Sequence, residues 1–414
     1  GKVYGRLDDD YTTVLLIGTG HNDISTCAVV TGAGFQTPLG VVETDSAAVA
    51  ELLKNPLFVE SEKAHAEEHS IEVQLPFLQV QLKGKFKIVP VLLNNASLVT
   101  AREVGSALAR TLKNRKTLCV ISSDLSHYPD KASAELVDKT ILKSLEFINP
   151  EYFDKTDSLL MQKNMDGVVC AVCGKAAVEA GLAFALAKGA NRTESAGYAN
   201  SADSVHGDSR RTVGYGGMFF FGGMRSSVPS KIRLDKQGKL FLLETARKAI
   251  ATYMDRNALT LQLSPLPELN LPAPVFVTLT LDGKLRGCVG DTEAQDTLLN
   301  SVAYFARAAA FSDSRFPPLE KSELEKIKIE ISVLSNFRPV KSWKAIRAGK
   351  EGVIITKEGK TGLFLPQVWK EIPAMGDFLS ELCEQKAHLK RDCYLDPDAD
   401  ISVFTVDKFK EKGK

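Results

Sequence analysis

The sequence predicts an α/β domain followed by an α+β domain. In the first half, short apolar runs alternate with helical patterns, which is typical of a mostly parallel central sheet flanked by helices. In the second half, two apolar runs surround Asp282-Gly283 and predict an antiparallel hairpin. Residues 327–333 then alternate between apolar and polar, which indicates a half-buried strand. The chain has 414 residues, enough for two domains.

Apolar runs that are buried on both faces predict the strands of the first domain. They lie at residues 14–17, 87–93 and 117–121, with a glycine-rich fourth at 212–221. Helical patterns separate these runs, around residues 70–82, 99–113, 131–147 and 173–189. The alternation extends over residues 1–222, which we predict to be the first domain.

A linker-like segment at residues 222–236 precedes a second predicted domain at residues 237–411. Helices are predicted at residues 240–254 and 295–310. Four prolines within residues 265–274 exclude a regular helix or a central strand there.

Charge and cysteine content exclude several classes of protein. The net charge is +1, and residues 231–414 carry 29 basic and 25 acidic side chains, so the composition disfavours nucleic acid as a partner. No apolar run reaches the ~18 residues of a membrane helix, and we expect no membrane association. The seven cysteines are an odd number and are scattered, which predicts free thiols in a reducing cytoplasm.

Three histidines follow predicted strand ends or open a helical segment: His21, His69 and His127. Ligands of parallel α/β sheets bind outside the carboxyl ends of the strands, so these side chains could converge. Histidines and carboxylates at an open site suit Zn²⁺, Fe²⁺ or Cu²⁺. The alternative is that each is an ordinary loop histidine.

Three further patterns in the first half carry less weight. Residues 65–69 match the H-x-x-E-H pattern of some metalloproteases, but the preceding run is polar and His65 is expected to be a solvated neighbour. Cys170 and Cys173 form a C-x-x-C with apolar flanks, which favours buried core thiols over a redox or metal site. Gly-Thr-Gly at residues 18–20 lacks the third glycine of a dinucleotide site.

The second half has two conspicuous motifs, at residues 285–290 and 312–319. Arg286 and Arg315 could bind a phosphate or carboxylate. Cys288 could be a nucleophile but needs a base, and His388 is the only histidine of this half. The alternative is a tightly packed hairpin corner in which the arginines are structural.

The first half resembles the Memo family over about residues 4–221. The resemblance is carried by Gly-Thr-Gly-His (18–21), by Glu-His-Ser-Ile-Glu (68–72) with Leu-Pro-Phe (75–77), and by Ser-Ser-Asp (122–124) with His127. Cys-Gly (173–174) and Tyr-Ala-Asn-Ser (198–201), which leads to Gly-Tyr-Gly (214–216), complete it. The Memo fold is similar to the class III extradiol dioxygenases, which hold non-haem iron.

The resemblance implies a mononuclear site of iron or copper, with zinc possible, that has His21 and His69 as ligands. The third ligand is a cysteine in animal Memo proteins and a glutamate in the dioxygenases, and it is expected within residues 200–206. That segment contains neither, so Asp203 is the first choice and His206 the second. The site is thus expected to use nitrogen and oxygen only. His127 is implied as a substrate ligand or proton donor.

The second half resembles the AMMECR1 family over about residues 238–410, through the motifs at 285–290 and 313–319. We expect Arg286, Gly287, Cys288, Gly290, Asp313 and Arg315 to meet at one cleft. A Memo-like domain followed by an AMMECR1-like domain resembles a fused prokaryotic form that accompanies a radical-SAM protein, which is the implied partner.

Two functions remain open from the sequence. One is dioxygenase-like oxidation of a small chelating substrate. The other is a non-catalytic metal scaffold or chaperone. The dioxygenases keep an acid-base histidine shortly after the position of Cys173, and Lys-Ala-Ala (175–177) stands here instead, which favours the scaffold.

Overall fold

The computed structural model describes residues 2–7, 11–21, 27–32, 34–83, 86–223 and 229–412. Its residues form two compact units, Gly1–Pro229 and Ser230–Lys414. The first has a mostly parallel central sheet with helices, and the second has antiparallel sheets with helices. The predicted fold class is confirmed. Within the predicted linker, residues 224–228 lie outside the described residues.

The strands of the first unit are β1 (Thr13–Thr19), β2 (Cys27–Val29), β3 (Gly34–Thr37), β4 (Gly40–Glu43), β5 (Val59–Glu60), β6 (Lys87–Leu93), β7 (Thr117–Ile121), β8 (Ala190–Asn200) and β9 (Gly214–Gly222). Its helices are α1 (Ser46–Leu52), α2 (Glu62–Ala66), α3 (His69–Glu72), α4 (Leu75–Gln81), α5 (Leu98–Thr111), α6 (Lys131–Leu145), α7 (Pro150–Met161) and α8 (Lys175–Ala187).

The central sheet has the strand order β5-β2-β6-β1-β7. Strand β1 pairs in parallel with both β6 and β7, with Thr13 opposite Lys87 and Thr117. Strand β2 runs antiparallel to β6. The carboxyl ends of β1, β6 and β7 therefore meet at one edge of the sheet, where ligands of such sheets bind.

Strand β1 is buried on both faces. Leu15 and Ile17 belong to a core that includes residues of α1, α5 and α8. Val14 and Leu16 point the other way, into a core that includes residues of α3 and α4. Because side chains alternate along a strand, this continuous apolar run packs into the cores on both faces of the sheet. This packing holds the end of β1 in position.

Two details of the first unit differ from the expectation. The helix predicted at residues 70–82 is divided into α3 and α4, because Pro76 lies in the first turn of α4 and could not continue an earlier helix. Helix α7 was not predicted, although its start signals are present. Asn149 caps it by accepting a hydrogen bond from Tyr152 N, and Pro150 is its first residue.

The second unit contains β10 (Val275–Leu281), β11 (Lys284–Asp291), β12 (Lys328–Leu334), β13 (Arg338–Pro339), β14 (Gly352–Lys357), β15 (Lys360–Phe364), β16 (Asp400–Phe404) and β17 (Val406–Lys410). Its helices are α9 (Lys236–Met254), α10 (Leu298–Phe311) and α11 (Met375–Glu381). The strands form two antiparallel sheets, β11-β10-β12-β17 and β13-β16-β14-β15.

The hairpin predicted around Asp282-Gly283 is confirmed as β10–β11. Asp282 and Gly283 have φ angles of 51° and 78°. Two central residues with positive φ define the turn that best matches the twist of paired strands, and Asp-Gly is among the few pairs that adopt it.

Cysteine pairing departs from the expectation of seven free thiols. Cys383 and Cys393 form a disulfide, while five cysteines are free. The two partners are ten residues apart and follow α11. No described helix is both long and apolar enough to cross a membrane.

Candidate metal centre

His21 and His69 lie side by side because the start of α3 is tied to the end of β1. Ser70 Oγ donates a hydrogen bond to the main-chain oxygen of Thr19 at 2.9 Å. This close approach requires Gly18, since a Cβ there would lie 2.4 Å from Ser70 Oγ. The two imidazole rings stack with centroids 4.7 Å apart and planes 19° apart.

One buried carboxylate, that of Glu68, lies beside both histidines. Glu68 Oε1 lies 3.0 Å from His21 Nδ1 and 3.5 Å from His69 Nδ1, and the Glu68 side chain is only 1% exposed. Its oxygens also accept hydrogen bonds from the backbone N–H of His21 at 2.7 Å and of Ser70 at 2.8 Å. Burial raises the pKa of the Glu68 carboxyl, but these bonds outweigh burial and hold the pKa below its usual value.

The Glu68 contacts decide which ring atoms remain free. Each histidine turns Nδ1 to the carboxylate, so Nε2 of each ring has no hydrogen-bond donor or acceptor among the described side chains except the sulfur beside His21. His21 is 43% and His69 67% exposed. Among the described residues, only His21, Glu68 and His69 form a group of three donors whose ligand atoms lie within 4.8 Å.

Cys173 is the donor that sequence reasoning missed. Its Sγ lies 3.7 Å from His21 Nε2. The approach of this loop to β1 depends on Gly174, where a Cβ would meet Thr19 Oγ1 at 2.5 Å. The expectation of a site built on nitrogen and oxygen stays a prediction, and Cys173 is a further candidate ligand beside it. The available signal was Cys-Gly (173–174) within the Memo-like motifs.

The electrostatics at Cys173 favour the neutral thiol when no cation is near. Burial raises the pKa of this thiol, and the negative charges of Asp124 and Glu68 raise it further. A metal ion reverses this balance, because a coordinating thiol loses its proton.

His127 lies in a loop, where its backbone N–H donates to the Cys170 carbonyl at 3.2 Å. Its Nε2 is 3.4 Å from Asp124 Oδ2, and this buried nitrogen makes no hydrogen bond to any described residue. A buried nitrogen without a partner is costly, which is consistent with a nitrogen kept for a ligand. The role predicted for His127 stays a prediction.

Asp203 and His206 are not part of the His21 group. Asp203 Oδ1 accepts a hydrogen bond from Lys131 Nζ at 2.6 Å, and its Oδ2 accepts one from the backbone N–H of Asn200. The Lys131 ammonium holds the pKa of Asp203 below its usual value. His206 is exposed. The carboxylate beside the two histidines is Glu68 instead.

The protease pattern at residues 65–69 does not form a site. His65 lies on α2 and His69 on the separate α3, so the two rings do not share one helix face. His65 is buried rather than solvated, with Nε2 3.3 Å from the Ala28 carbonyl. Burial lowers the pKa of His65.

The C-x-x-C cysteines are half-buried and free, not core thiols. Val169 beside them is 65% exposed, whereas Ala171 and Val172 between them are buried. Burial raises the pKa of Cys170 to about 11. Cys170 is therefore a protonated thiol near neutral pH.

In the second unit, Arg286 is almost buried and bound on all sides. Its guanidinium forms a two-point ion pair with Glu323 at 2.8 and 2.9 Å. It also donates to the carbonyls of Pro317 and Pro318. Little donor capacity remains for a phosphate or carboxylate ligand.

The other motif residues meet through Asp313. Its Oδ2 accepts a hydrogen bond from Cys288 N at 2.8 Å, and both its oxygens bind Arg315. Arg315 also donates to the Cys288 carbonyl at 3.1 Å. The Arg315 guanidinium is the main reason that the pKa of Asp313 lies far below its usual value.

Gly287 and Gly290 let the hairpin pack closely. A Cβ on Gly287 would lie 2.0 Å from the Ala309 carbonyl of α10, and one on Gly290 would lie 2.4 Å from the ring of Phe276. The two motifs therefore contact each other and join β11 to the segment after α10. We call the contacts of Arg286, Cys288, Asp313, Arg315 and Glu323 the arginine latch.

Comparison with known proteins identifies relatives of both halves. The family model described as Memo-like protein matches residues 1–219, and the AMMECR1 model matches residues 243–409. A MEMO1 family protein of Nitrosopumilus maritimus is 35% identical over 209 residues, which is 50% of this chain and 73% of that protein. One of Aquifex aeolicus is 35% identical over 222 residues, 53% of this chain and 79% of that protein.

Among solved structures, an uncharacterized protein of Pyrococcus horikoshii is similar to 42% of this chain and 90% of its own, at 33% identity and a TM-score of 0.39.

Proposed function

The chain belongs to the Memo-like protein family and carries an AMMECR1 domain after its Memo-like domain, and on this premise we propose that the first domain is a mononuclear iron or copper protein that oxidises a small chelating molecule. The ligands in this proposal are His21, His69 and Cys173. Cys173 is included because its Sγ lies 3.7 Å from His21 Nε2. Asp203 is left out because Lys131 and the Asn200 backbone N–H bind its carboxylate, and His206 because it is exposed and is not among the donors grouped with His21.

A single observation carries the proposal: one buried carboxylate, Glu68, hydrogen-bonds His21 Nδ1 at 3.0 Å and lies 3.5 Å from His69 Nδ1, so the Nδ1 atoms of both stacked rings adjoin it. Histidine ligands of metals almost always donate their other N–H to such a carboxylate, which fixes the tautomer and the ring orientation. Glu68 has this relation to His21, and its Oε1 lies 3.5 Å from His69 Nδ1. Because the Glu68 oxygens already accept two backbone N–H groups, we assign it the orienting role.

The donor set suits the proposed metals. Imidazole binds iron, copper and zinc, and thiolate favours the softer ions. Bound iron or copper would supply redox chemistry and open positions for O₂ and a substrate. In the protein, His127 Nε2 would hold or deliver the proton of the substrate, with Asp124 beside it at 3.4 Å.

Anaerobic loading with iron or copper, followed by O₂ consumption against a panel of catechols, tests the activity. We expect consumption that depends on metal and is lost in His127→Ala without loss of the metal. Bound metal with no turnover on any catechol would contradict the oxidative function. A protein that contains only zinc would favour hydrolysis instead.

The second candidate is a metal scaffold or chaperone without turnover. It is favoured by the residues after Cys173, because Lys175 stands near the point where the dioxygenases have an acid-base histidine. A chaperone should pass its metal to an acceptor chelator within seconds. A catalytic centre should keep its metal under the same conditions.

The fused order of the two domains supports a radical-SAM protein as the partner. We also assign the chain to the cytoplasm, on the support of five free cysteines, although the Cys383–Cys393 disulfide is unusual for that compartment. Mixing the full chain with the purified radical-SAM protein should shift its elution in size-exclusion chromatography. An unshifted mixture at concentrations of tens of micromolar would count against this partner.

A further inference from the structure

A cavity of about 410 Å³ adjoins the candidate metal centre and has no role in the function proposed above. Its lining residues include Thr19, Cys173, Asp154, Lys175 and Glu179. Its volume is in the range of small-molecule pockets. Cys173 therefore faces both the histidines and this cavity.

Two of the residues that line the cavity carry a buried polar atom without a hydrogen-bond partner among the described residues: Thr19 Oγ1 and Glu179 Oε1. Glu179 is only 1% exposed. Buried carboxyl groups are nearly always paired, and an unpaired one is costly. The orphaned oxygen of Glu179 indicates that this wall of the cavity is made for a donor that comes from outside the chain.

The charges around Glu179 define that donor. Lys175 Nζ lies 2.6 Å from Asp154 and 3.0 Å from Asp157 but 4.0 Å from Glu179. The Lys175 ammonium is thus the nearby cation for three carboxyl groups, and it is bound more closely by Asp154 and Asp157 than by Glu179. The cluster has an excess of negative charge, which a second cation would neutralise.

The raised pKa of the Glu179 carboxyl is consistent with this geometry. Burial raises the pKa of Glu179 to about 7, and Asp154, Asp157 and Glu151 raise it while Lys175 lowers it. From α5, which packs against α8, Arg102 is bound to Glu151 at 2.7 Å. With a pKa of about 7, the Glu179 carboxyl gains and loses its proton near neutral pH.

We propose that this cavity binds a small molecule that bears a protonated primary amine, with the ammonium against Glu179 and Asp154 and the rest of the molecule toward Cys173. Ammonium N–H groups would pair with Glu179 Oε1. If the proposed metal function holds, this cavity selects amine-bearing substrates. The amine site itself does not depend on a bound metal.

Titration calorimetry of the metal-free full chain with propylammonium tests the proposal. We expect a dissociation constant on the order of 1 mM. Binding should release about half a proton at pH 7 and almost none at pH 9, as read from the buffer dependence of the heat. Affinity should be about tenfold tighter at pH 8 than at pH 6, because Glu179 must lose its proton.

Two matched variants distinguish binding at Glu179 from non-specific attraction of the ammonium to surface carboxylates. Glu179→Gln keeps the shape of the protonated carboxyl and should weaken propylammonium binding at least tenfold and abolish proton release. Glu146→Gln removes an exposed carboxylate paired with Lys143 and should leave both unchanged. Propionate, the matched anion, should not bind at millimolar concentrations.

Three results would contradict the proposal, and two of them need only the wild-type chain. Absence of saturable propylammonium binding, or binding without proton release at pH 7, would contradict it, as would equal binding by Glu179→Gln. The paired change His21→Ala with His69→Ala should keep propylammonium binding while losing metal. Failure of the metal function is thereby distinguished from failure of the amine site.

Discussion

The metal centre of the first unit and the arginine latch of the second differ in whether their polar groups are satisfied. In the latch, Arg286 and Asp313 find their partners within the same domain. In the first unit, the buried Nε2 of His127 makes no hydrogen bond to any described residue, and the His69 side chain beside Glu68 is 67% exposed. Both regions come from conspicuous motifs, but satisfied groups stabilise a fold while unsatisfied ones await a ligand.

This difference teaches how to interpret a motif that contains charged residues. From the sequence, Arg286 and Arg315 could bind a phosphate, and the histidines could be ordinary loop residues. Only the contacts of these side chains in the structure distinguish the alternatives. The latch accounts for its motif without any ligand. The metal centre does not, because its buried carboxylate orients two nitrogens toward an open side. The experiments below test this contrast, beginning with the largest expected effect.

Removal of Arg286 should destabilise the second domain strongly. Arg286→Ala leaves Glu323 without its guanidinium, and breaking such a nearly buried pair costs about 3 kcal/mol in the free energy of unfolding. Denaturant unfolding followed by tryptophan fluorescence measures this, since both tryptophans, Trp343 and Trp369, lie in the second unit.

The control is Lys321→Ala, which removes an exposed pair with Asp255 and should cost under about 0.5 kcal/mol. Metal binding by the first domain should be the same in Arg286→Ala as in wild type. A stable Arg286→Ala variant would show that the latch is not structural.

Loss of the orienting carboxylate should weaken the metal centre without removing a ligand. Glu68→Gln should lower metal affinity by about 10- to 100-fold. Competition with a chelator of known affinity measures the change. The contrary outcome, a loss as complete as that of His21→Ala with His69→Ala, would make Glu68 a direct ligand.

Substitution of the cysteine decides the third ligand. Cys173→Ser should lower copper affinity about tenfold and abolish the thiolate-to-copper charge-transfer absorption, because a hydroxyl is a poorer donor for this soft ion. The matched control is Cys170→Ser, which should change neither. If Asp203→Asn or His206→Ala were the damaging change instead, the carboxylate or third histidine favoured by the sequence would be the ligand.

Acid should weaken the latch through Asp313. Its pKa is lowered in the folded state, so its stabilising contribution is complete above the unfolded pKa of about 3.9 and is lost as the pH falls toward the folded pKa. Asp313→Asn should therefore be about 1 kcal/mol less stable than wild type at pH 7. This difference should shrink below about pH 4, as measured by tryptophan fluorescence. A difference independent of pH would exclude a charge effect.

The sequence predicted the fold because apolar periodicity and turn chemistry determine it locally. The apolar runs at 87–93 and 117–121 form β6 and β7, and Asp282-Gly283 forms the turn of a hairpin. The burial predicted for 117–121 is wrong, because β7 is an edge strand of the sheet and is half-buried along its length. Strand β8 was missed because its half-exposed, mixed sequence has no clean period of two.

The candidate site was only partly predictable. His21 and His69 follow from their places at the end of β1 and the start of α3. Glu68 was part of the same motif, yet its role as a shared carboxylate depends on two Nδ1 distances that no spacing reveals. Cys173 is 152 residues from His21 along the chain, and only the packing of its loop on β1 brings them together.

The most direct test of the central claim is a metal titration of the anaerobically purified chain, with wild type compared with His21→Ala combined with His69→Ala. We predict one iron or copper per wild-type chain and none in the double variant, while the unfolding curve of the second domain, followed by Trp343 and Trp369, stays unchanged. Equal metal binding by both proteins would contradict the account, because the nitrogens left free by Glu68 would then not be ligands.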